Sequence, residues 1–526
     1  MMRLSTAVTA CAALTLAAPA MAQTFAQPDP VLERMWTLGM EQSQAYDLAQ
    51  TLTDSLGPRL TGTPQMKAAN DWAVKMLESW GAEGRNEQYG TWRAWDRGVT
   101  RVDLLEPRVR SLEAIMLAWS PGTPNGQPVE AAVTKLPDFA DAAAFEAWLP
   151  TVRGKAVVLA PSELSCRPAS HWQEYGMSGF GRGANATPSS FEKLQAARAE
   201  RRTAYSANLE RAGFGGRGGA GQLLDRLEAA GIAAVLQFNW SNDIGVNKIF
   251  GANTETIPTI DLGCEDYGLV YRLAEEGQGP VVRIQAAAEF LGEQPVYNTI
   301  GVIPGTELPN EYVMLSAHYD SWDGGSGATD NATGSITMLE AMRILRAAYP
   351  NPRRTIVMGL WSGEEQGLNG SRRFVEMHPD IVDNLQALFN QDNGTGRVVS
   401  VSMQGLVGAG GHWGRWMAAL PQEISRHIDL NIPGSPGGGG SDYASFVCAG
   451  APGFSISSLS WSYSTHTWHT NRDSFDKIVM DDLMNNATLT AMLAYLASED
   501  PERMPRDQAA GVNWPTCRPG AQSSGG

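Results

Sequence analysis

In the stretch LSAHYDSWDGGSGATDNATG, residues 315–334, His318, Asp320 and Asp330 stand where an apolar run gives way to a glycine-rich loop. Imidazole nitrogen and carboxylate oxygen are ligands for zinc and similar divalent ions. Further acids follow at comparable places: Glu364 and Glu365 after the apolar run TIVMGLW, and Asp392 after a run ending at Phe389. Taken singly, each is weak. A Glu-Glu pair is usually a solvated face, and an aspartate after a strand is often a turn residue. Gathered in one place, several carboxylates and one histidine would repel one another without cations. A tetrahedral site needs three or four ligands, and this set has more, which points to two metals sharing a bridging carboxylate. A second histidine is then required, and HTWHTNRDSFDKI offers His466 or His469.

Position is what would make the set a site. Tyr312–Ala317, Thr355–Trp361 and Leu385–Phe389 read as strands, and Gly334–Tyr349 and Ser371–His378 as helices between them. Ile336, Met338, Leu339, Met342 and Leu345 recur on one side of the longer helix. Such alternation implies an α/β fold, a largely parallel sheet with helices on both faces. Ligands of such sheets bind beyond the carboxyl ends of the strands. His318, Asp320, Glu364, Glu365 and Asp392 all fall at those ends and should converge on one edge.

The rest of the chain divides by rhythm. Residues 30–115 read as helical, with Ser43–Leu56 and Thr63–Trp80. Residues 118–290 carry strands at Lys155–Leu159 and Ala233–Phe238, then IPTIDL, with helices at Leu223–Ala230 and Glu265–Glu276. Inside them Met177–Gly221 is polar and rich in Gly and Arg; its GFGGRGGAG lacks the G-K-[ST] ending of a phosphate loop and reads as a flexible loop. Residues after Asp500 read as a loosely attached tail.

Composition bounds the function. The chain has 526 residues and 43% hydrophobic content, enough for more than one domain. Its start, MMRLSTAVTACAALTLAAPAMAQ, has a basic residue, a short apolar core and an A-x-A cleavage signal before Gln23, the pattern of a secretory leader. Loss of Arg3 takes the net charge from −16 to −17, which argues against a nucleic-acid or anionic-membrane partner. No long apolar run follows, so no membrane insertion is expected after leader cleavage. The expected location is periplasmic or secreted. There Cys166, Cys264, Cys448 and Cys517 allow two disulfides in three connectivities. Sorting them by region pairs Cys166 with Cys264 and Cys448 with Cys517. His171, His378, His412 and His427 lack a strand-end context and read as structural or surface groups.

The ordered set H-x-D, D-N-A-T-G, E-E-x-G-L-x-G-S, x-x-D and x-H-T resembles the co-catalytic zinc aminopeptidase and carboxypeptidase family. The resemblance spans most of the mature chain. It implies a zinc exopeptidase fold with a protease-associated β/α insert, divided as leader 1–22, first part of the peptidase domain 23–117, insert 118–290, catalytic domain 291–500 and tail 501–526. It implies two zinc ions per subunit, one on His318 and Asp392, one on Glu365 and His469, with Asp330 bridging and a cis Asp330–Asn331 peptide. Glu364 would be the general base, and Asp320 would accept the other ring N–H of His318. Tyr443, in a loop that the family places beside the site, could bind an intermediate or the substrate side chain. The expected activity is hydrolysis of dipeptides or short peptides, of carboxypeptidase or dipeptidase type, in a chain that could form a homodimer. DNATG is the form commoner among aminopeptidases, which keeps that direction open. A single-zinc acyltransferase of glutaminyl cyclase type and an inactive receptor-like module are the more distant alternatives.

Overall fold

The computed structural model describes residues 24–168, 190–240, 243–437 and 440–517. The leader, His171 and the last nine residues lie outside them. The strands are β1 Glu83–Glu106, β2 Arg110–Leu112, β3 Ala114–Met116, β4 Val129–Lys135, β5 Ala156–Val158, β6 Ala234–Gln237, β7 Thr259–Leu262, β8 Val281–Ile303, β9 Leu308–His318, β10 Arg354–Trp361, β11 Leu385–Asn390, β12 Val398–Ser402, β13 Asp429–Asn431 and β14 Gly453–Ser458. They join in the order β13-β12-β14-β11-β9-β10-β8-β4-β5-β6-β7-β3, with β1 along β8 and β2 on β1.

The first lobe is built on the parallel run β14-β11-β9-β10. Every residue of β10 is buried, as expected of a strand covered on both faces. Alternate residues serve opposite faces. Val313, Leu315, Ile356 and Met358 pack with Ile336, Leu339 and Met342 of the helix Thr333–Ala348 and with Leu489 and Met492 of the helix Met480–Glu499. Met314, Val357 and Trp361 face the other way, onto Phe374, Leu388 and Phe446. The register is the functional point: Trp361 lies opposite His318 in the parallel pair, so the loops that follow β9 and β10 start side by side.

The second lobe repeats the scheme with β4-β5-β6-β7 in parallel. Two strands the sequence reading did not anticipate tie the lobes together. β1 pairs antiparallel with β8 from Glu83 opposite Val302 to Glu106 opposite Val281, and both run through both lobes. The expected boundary at 290/291 therefore falls inside a continuous strand. That at 117/118 falls after β3, which already pairs with β7 of the second lobe. β1 escapes periodicity because most of it is half-buried or exposed, with no regular alternation.

Two further expectations change. The polar stretch before Gly221 contains a helix, Ser190–Arg211; its Ala, Arg, Glu and Gln are strong helix formers without an apolar stripe. The tail past Asp500 is held down. Met504 is 2% exposed, Val407 N–H donates to the Asp507 carbonyl at 2.9 Å, and Cys517 is bonded to Cys448. The other disulfide joins Cys166 to Cys264.

Candidate metal centre

His318 closes β9, Glu364 and Glu365 follow β10, Asp392 follows β11, and Asp330 is the middle residue of the turn Ala328–Ala332 that leads into the helix Thr333–Ala348. Strand register alone brings the first four to one edge. The turn after β10 depends on Gly363, whose φ of 69° suits glycine and where a Cβ would lie 2.6 Å from the Tyr89 hydroxyl. His469 comes from a loop of the same lobe and also holds a positive φ, 57°, a strained value for a residue with a side chain.

The side chains meet closely. His318 Nε2 is 3.1 Å from Asp392 Oδ1 and 3.4 Å from Asp330 Oδ1. His469 Nε2 is 2.9 Å from Glu365 Oε2 and 3.6 Å from Asp330 Oδ2. Asp330 thus lies between two histidine–carboxylate pairs, and its peptide bond to Asn331 is cis. The donor set fits a divalent cation: His318, Asp330 and Glu365 can each aim one ligand atom into a sphere where all lie within 4.8 Å of one another. Asp330 Oδ2, Glu365 Oε1 and His469 Nδ1 are buried without a hydrogen-bond partner, a costly state for polar atoms unless something added completes them.

Electrostatics agree. Burial pushes the carboxyl of Glu365 well above its usual range, reinforced by Asp330. Glu364 is likewise raised, by burial first and then by Asp392, Asp442 and Glu365 against the attraction of His318. Burial lowers His469 to about 4. Burial thus favours the neutral form in all three: for His469 that is already the imidazole that ligates a metal, whereas the two carboxyls ionise more readily beside a bound cation.

The structure redistributes some expected roles. The His318 ring Nδ1 lies 3.0 Å from the Asp320 backbone carbonyl and 3.7 Å from its carboxylate. The Asp320 carboxylate instead accepts the backbone N–H groups of Glu364 at 3.2 Å and Glu365 at 3.3 Å, so it orients the two glutamates. Tyr443 does not line the cavity at the centre; it packs beside the cluster of Trp361 and Phe446. Tyr463 lines it, next to Asp330. His466 turns away, onto Asp243 at 2.6 Å. His378 and His412 pair with Glu87 and Asp500.

Two supporting residues were not singled out from the sequence. Asp473 accepts from the backbone N–H of Thr329 at 2.8 Å and of Asp330 at 2.9 Å. Arg59, fully buried, donates to the carbonyls of Tyr319, Ser326 and Gly327 and so shapes the loop after His318. Only their places in DSLGPRLTG and H-T-x-x-D could have signalled them.

The centre opens into a cavity of about 490 Å³, lined also by Arg372, Trp468, Pro515 and Thr516. The second lobe reaches its rim: Ile249 N–H donates to the His469 carbonyl at 2.7 Å, and the Phe250 ring packs 5.0 Å from that of His469.

Residues 298–494 match the model of peptidase family M28, and this segment contains every side chain gathered at the centre. Fold, site and family together define a metallo-exopeptidase, a hydrolase. The chain is homologous to carboxypeptidase Q: the mouse protein is 27% identical over 474 residues, covering 89% of this chain and 88% of that one. Among solved structures, the peptidase M28 precursor from Shewanella amazonensis SB2B covers 90% of this chain and 98% of its own at 22% identity and a TM-score of 0.63. The aminopeptidase from Aneurinibacillus sp. strain AM-1 covers 93% and 99% at 15% identity and a TM-score of 0.51.

Proposed function

We propose that the protein is an exported, zinc-dependent exopeptidase that cleaves dipeptides or short peptides, of carboxypeptidase or dipeptidase type. The observation that carries this is the convergence of His318, Asp330, Glu365, Asp392 and His469, with Glu364 beside them, on one cavity beneath a second lobe. His318 and Asp392 would hold one zinc, Glu365 and His469 the other, with Asp330 between. When bound, such a pair supplies the Lewis acidity that makes water a nucleophile near neutral pH and polarises a carbonyl.

The chain's own residues do the rest. Glu364 lines the cavity but lies outside the close histidine–carboxylate pairs, which leaves it free to take the proton of the attacking water and return it to the leaving amine. Asp320 holds the backbone of both glutamates, and Asp473 that of Asp330. The second lobe, read as a protease-associated insert, narrows the approach and so favours small substrates. Two disulfides fit an oxidising compartment, and no helix among the described residues is long and apolar enough to cross a membrane.

The carboxypeptidase direction is supported by the homology to carboxypeptidase Q along 89% of the chain. An aminopeptidase is the second reading, favoured by the acidic lining of the cavity, which could hold a substrate ammonium. A free dipeptide, its N-acetyl form, its C-amide and an aminoacyl p-nitroanilide are compared as substrates, with metal analysis of the same protein. Cleavage of the free and N-acetyl forms, with two zinc per chain, is expected. Fast cleavage of the amide and anilide without the N-acetyl form would select the aminopeptidase, and one zinc per chain would reject the two-metal reading.

A further inference from the structure

Lys248 belongs to the second lobe but lies against the metal centre. Its backbone bridges that of Thr470. On either side of it, Asn247 N–H donates to the Asn471 side chain at 2.9 Å and Ile249 N–H to the His469 carbonyl. The segment is therefore fixed, and so is the direction its side chain takes. The residue is 9% exposed, and its ammonium lies over the Trp468 ring, 4.2 Å from the centroid. Among the described residues it forms no ion pair and donates no hydrogen bond. The charged group that attracts it is Asp330, and it in turn disfavours the imidazolium of His469. Those neighbours belong to the metal centre and are turned toward one another.

A buried ammonium without a partner is expensive, and a site that keeps one is prepared for an anion. Lys248 also lines a second cavity, of about 410 Å³, with Tyr205, Phe238, Trp240 and Phe250. The two cavities share a wall: Trp468 lines the first and stacks on Lys248, and Phe250 lines the second and packs on His469. Of the other cations that line the second cavity, Arg202 is exposed to solvent, and the two less exposed ones are engaged. Arg198 pairs with Glu163 at 2.5 Å, and Arg201 donates to the Ser162 carbonyl at 2.6 Å.

We propose that Lys248 is a specificity-determining residue, pairing with a carboxylate of the substrate while the residue bearing it lies in the aromatic cavity of the second lobe. The proposal rests on the exopeptidase reading and names the ligand chemistry of that site. The carboxylate can be the free carboxyl terminus or an acidic side chain.

The test uses the full chain with zinc, as wild type, Lys248→Met and Lys248→Arg, and the substrates Ala-Phe, Ala-Phe amide and Ala-Glu amide. For Lys248→Met, KM for Ala-Phe should rise about 10- to 100-fold with kcat changed less than about 3-fold, since an interaction common to ground and transition states is lost. The cleavage of Ala-Phe amide, already slow in the wild type because the carboxylate is missing, should be unaffected, and Lys248→Arg should recover most of the loss. If the loss falls instead on Ala-Glu amide alone, the carboxylate is that of the side chain. Calorimetric titration of Ala-Phe into Glu364→Gln, with and without Lys248→Met, reads binding apart from turnover. Thus a wild type that cleaves no dipeptide defeats the exopeptidase reading while the titration still judges Lys248. Equal losses on free and amidated substrates, no loss at all, or lowered zinc content in Lys248→Met would overturn the proposal; the last would show that Lys248 only balances the metal-centre acids.

Discussion

Among the described residues, histidine is buried beside carboxylate in two places, and the two are completed differently. At Asp500 both oxygens are answered from within: His412 Nδ1 at 2.9 Å, the Trp416 indole at 3.0 Å, the Arg415 guanidinium at 3.1 Å and the Glu502 backbone N–H at 3.0 Å. Burial pushes the Asp500 carboxyl up, but these donors outweigh it and hold it below its usual range. At the metal centre burial wins at the two glutamates, while at Asp330 the hydrogen bond of His318 and the attraction of His469 outweigh it. Glu364 and Glu365 are pushed up, and Asp330 and Glu365 each keep an oxygen without a partner. One cluster is a finished piece of structure. The other is finished only by something that arrives, and the same residue types therefore serve stability in one place and chemistry in the other.

The largest effect should come from the member of the metal centre that is not in a close pair with a histidine. Glu364→Gln should lower kcat at least ~10³-fold, the scale of a lost general base, with zinc content and Tm unchanged. Metal analysis beside steady-state kinetics checks this. A zinc-poor Glu364→Gln next to a zinc-replete Glu365→Gln would exchange the two roles.

Metal removal sharpens the contrast. His469→Ala should lose zinc and most activity, whereas His466→Ala, whose ring meets Asp243 and is 42% exposed, should keep both. A chelator should lower the Tm of the wild type, since a ligand at a hundred times its Kd stabilises by about 2.7 kcal/mol, and should do little to His469→Ala. A zinc-poor His466→Ala beside a replete His469→Ala would reverse the assignment.

The finished cluster should respond in the opposite sense. Asp500→Asn should cost about 1–3 kcal/mol of stability, the scale of buried hydrogen bonds left imperfect, with kcat unchanged per folded molecule. A carboxyl whose folded pKa lies below its unfolded value of about 3.9 adds stability above that value and loses it as pH falls through the folded one. The wild type should therefore lose its advantage over Asp500→Asn in acid. Thermal melts from about pH 6 down to about pH 3 read this; parallel curves would refute it.

What could be read in advance follows from which signals are local. β9, β10 and β11 each contain a largely apolar run close to its end, so their exits, and with them His318, Glu364, Glu365 and Asp392, were visible as positions on one edge. β1 was not, because its partner β8 lies about two hundred residues on and its half-exposed faces carry mixed polarity. The helix Ser190–Arg211 was hidden for the converse reason: its residues favour helix, but no apolar stripe marks a buried face. At the site, ligand types could be named, yet contacts made through the backbone could not. That Asp320 holds two amides, and that Lys248 is brought to the rim by a bridge to Thr470, are facts of tertiary placement.

The smallest effect is expected where a pair is neither finished nor waiting. His378 Nε2 lies 2.7 Å from Glu87 of β1, with the two side chains 25% and 15% exposed. Burial raises the Glu87 carboxyl, but the hydrogen bonds of His378 and Arg85 outweigh it and hold it low. Water screens this pair far more than the Asp500 cluster, so His378→Ala should cost less than about 1 kcal/mol, leave kcat unchanged and become smaller still at high salt. By the same sign as for Asp500, the contribution of Glu87 is present above its unfolded pKa of about 4.3 and fades as pH falls through the lower folded value. Chemical denaturation of His378→Ala at neutral pH and at about pH 3.5, in low and high salt, measures it. A cost of more than about 2 kcal/mol, insensitive to salt, would place His378 with His412, and would mean that a half-buried pair can hold the fold as firmly as a fully buried one.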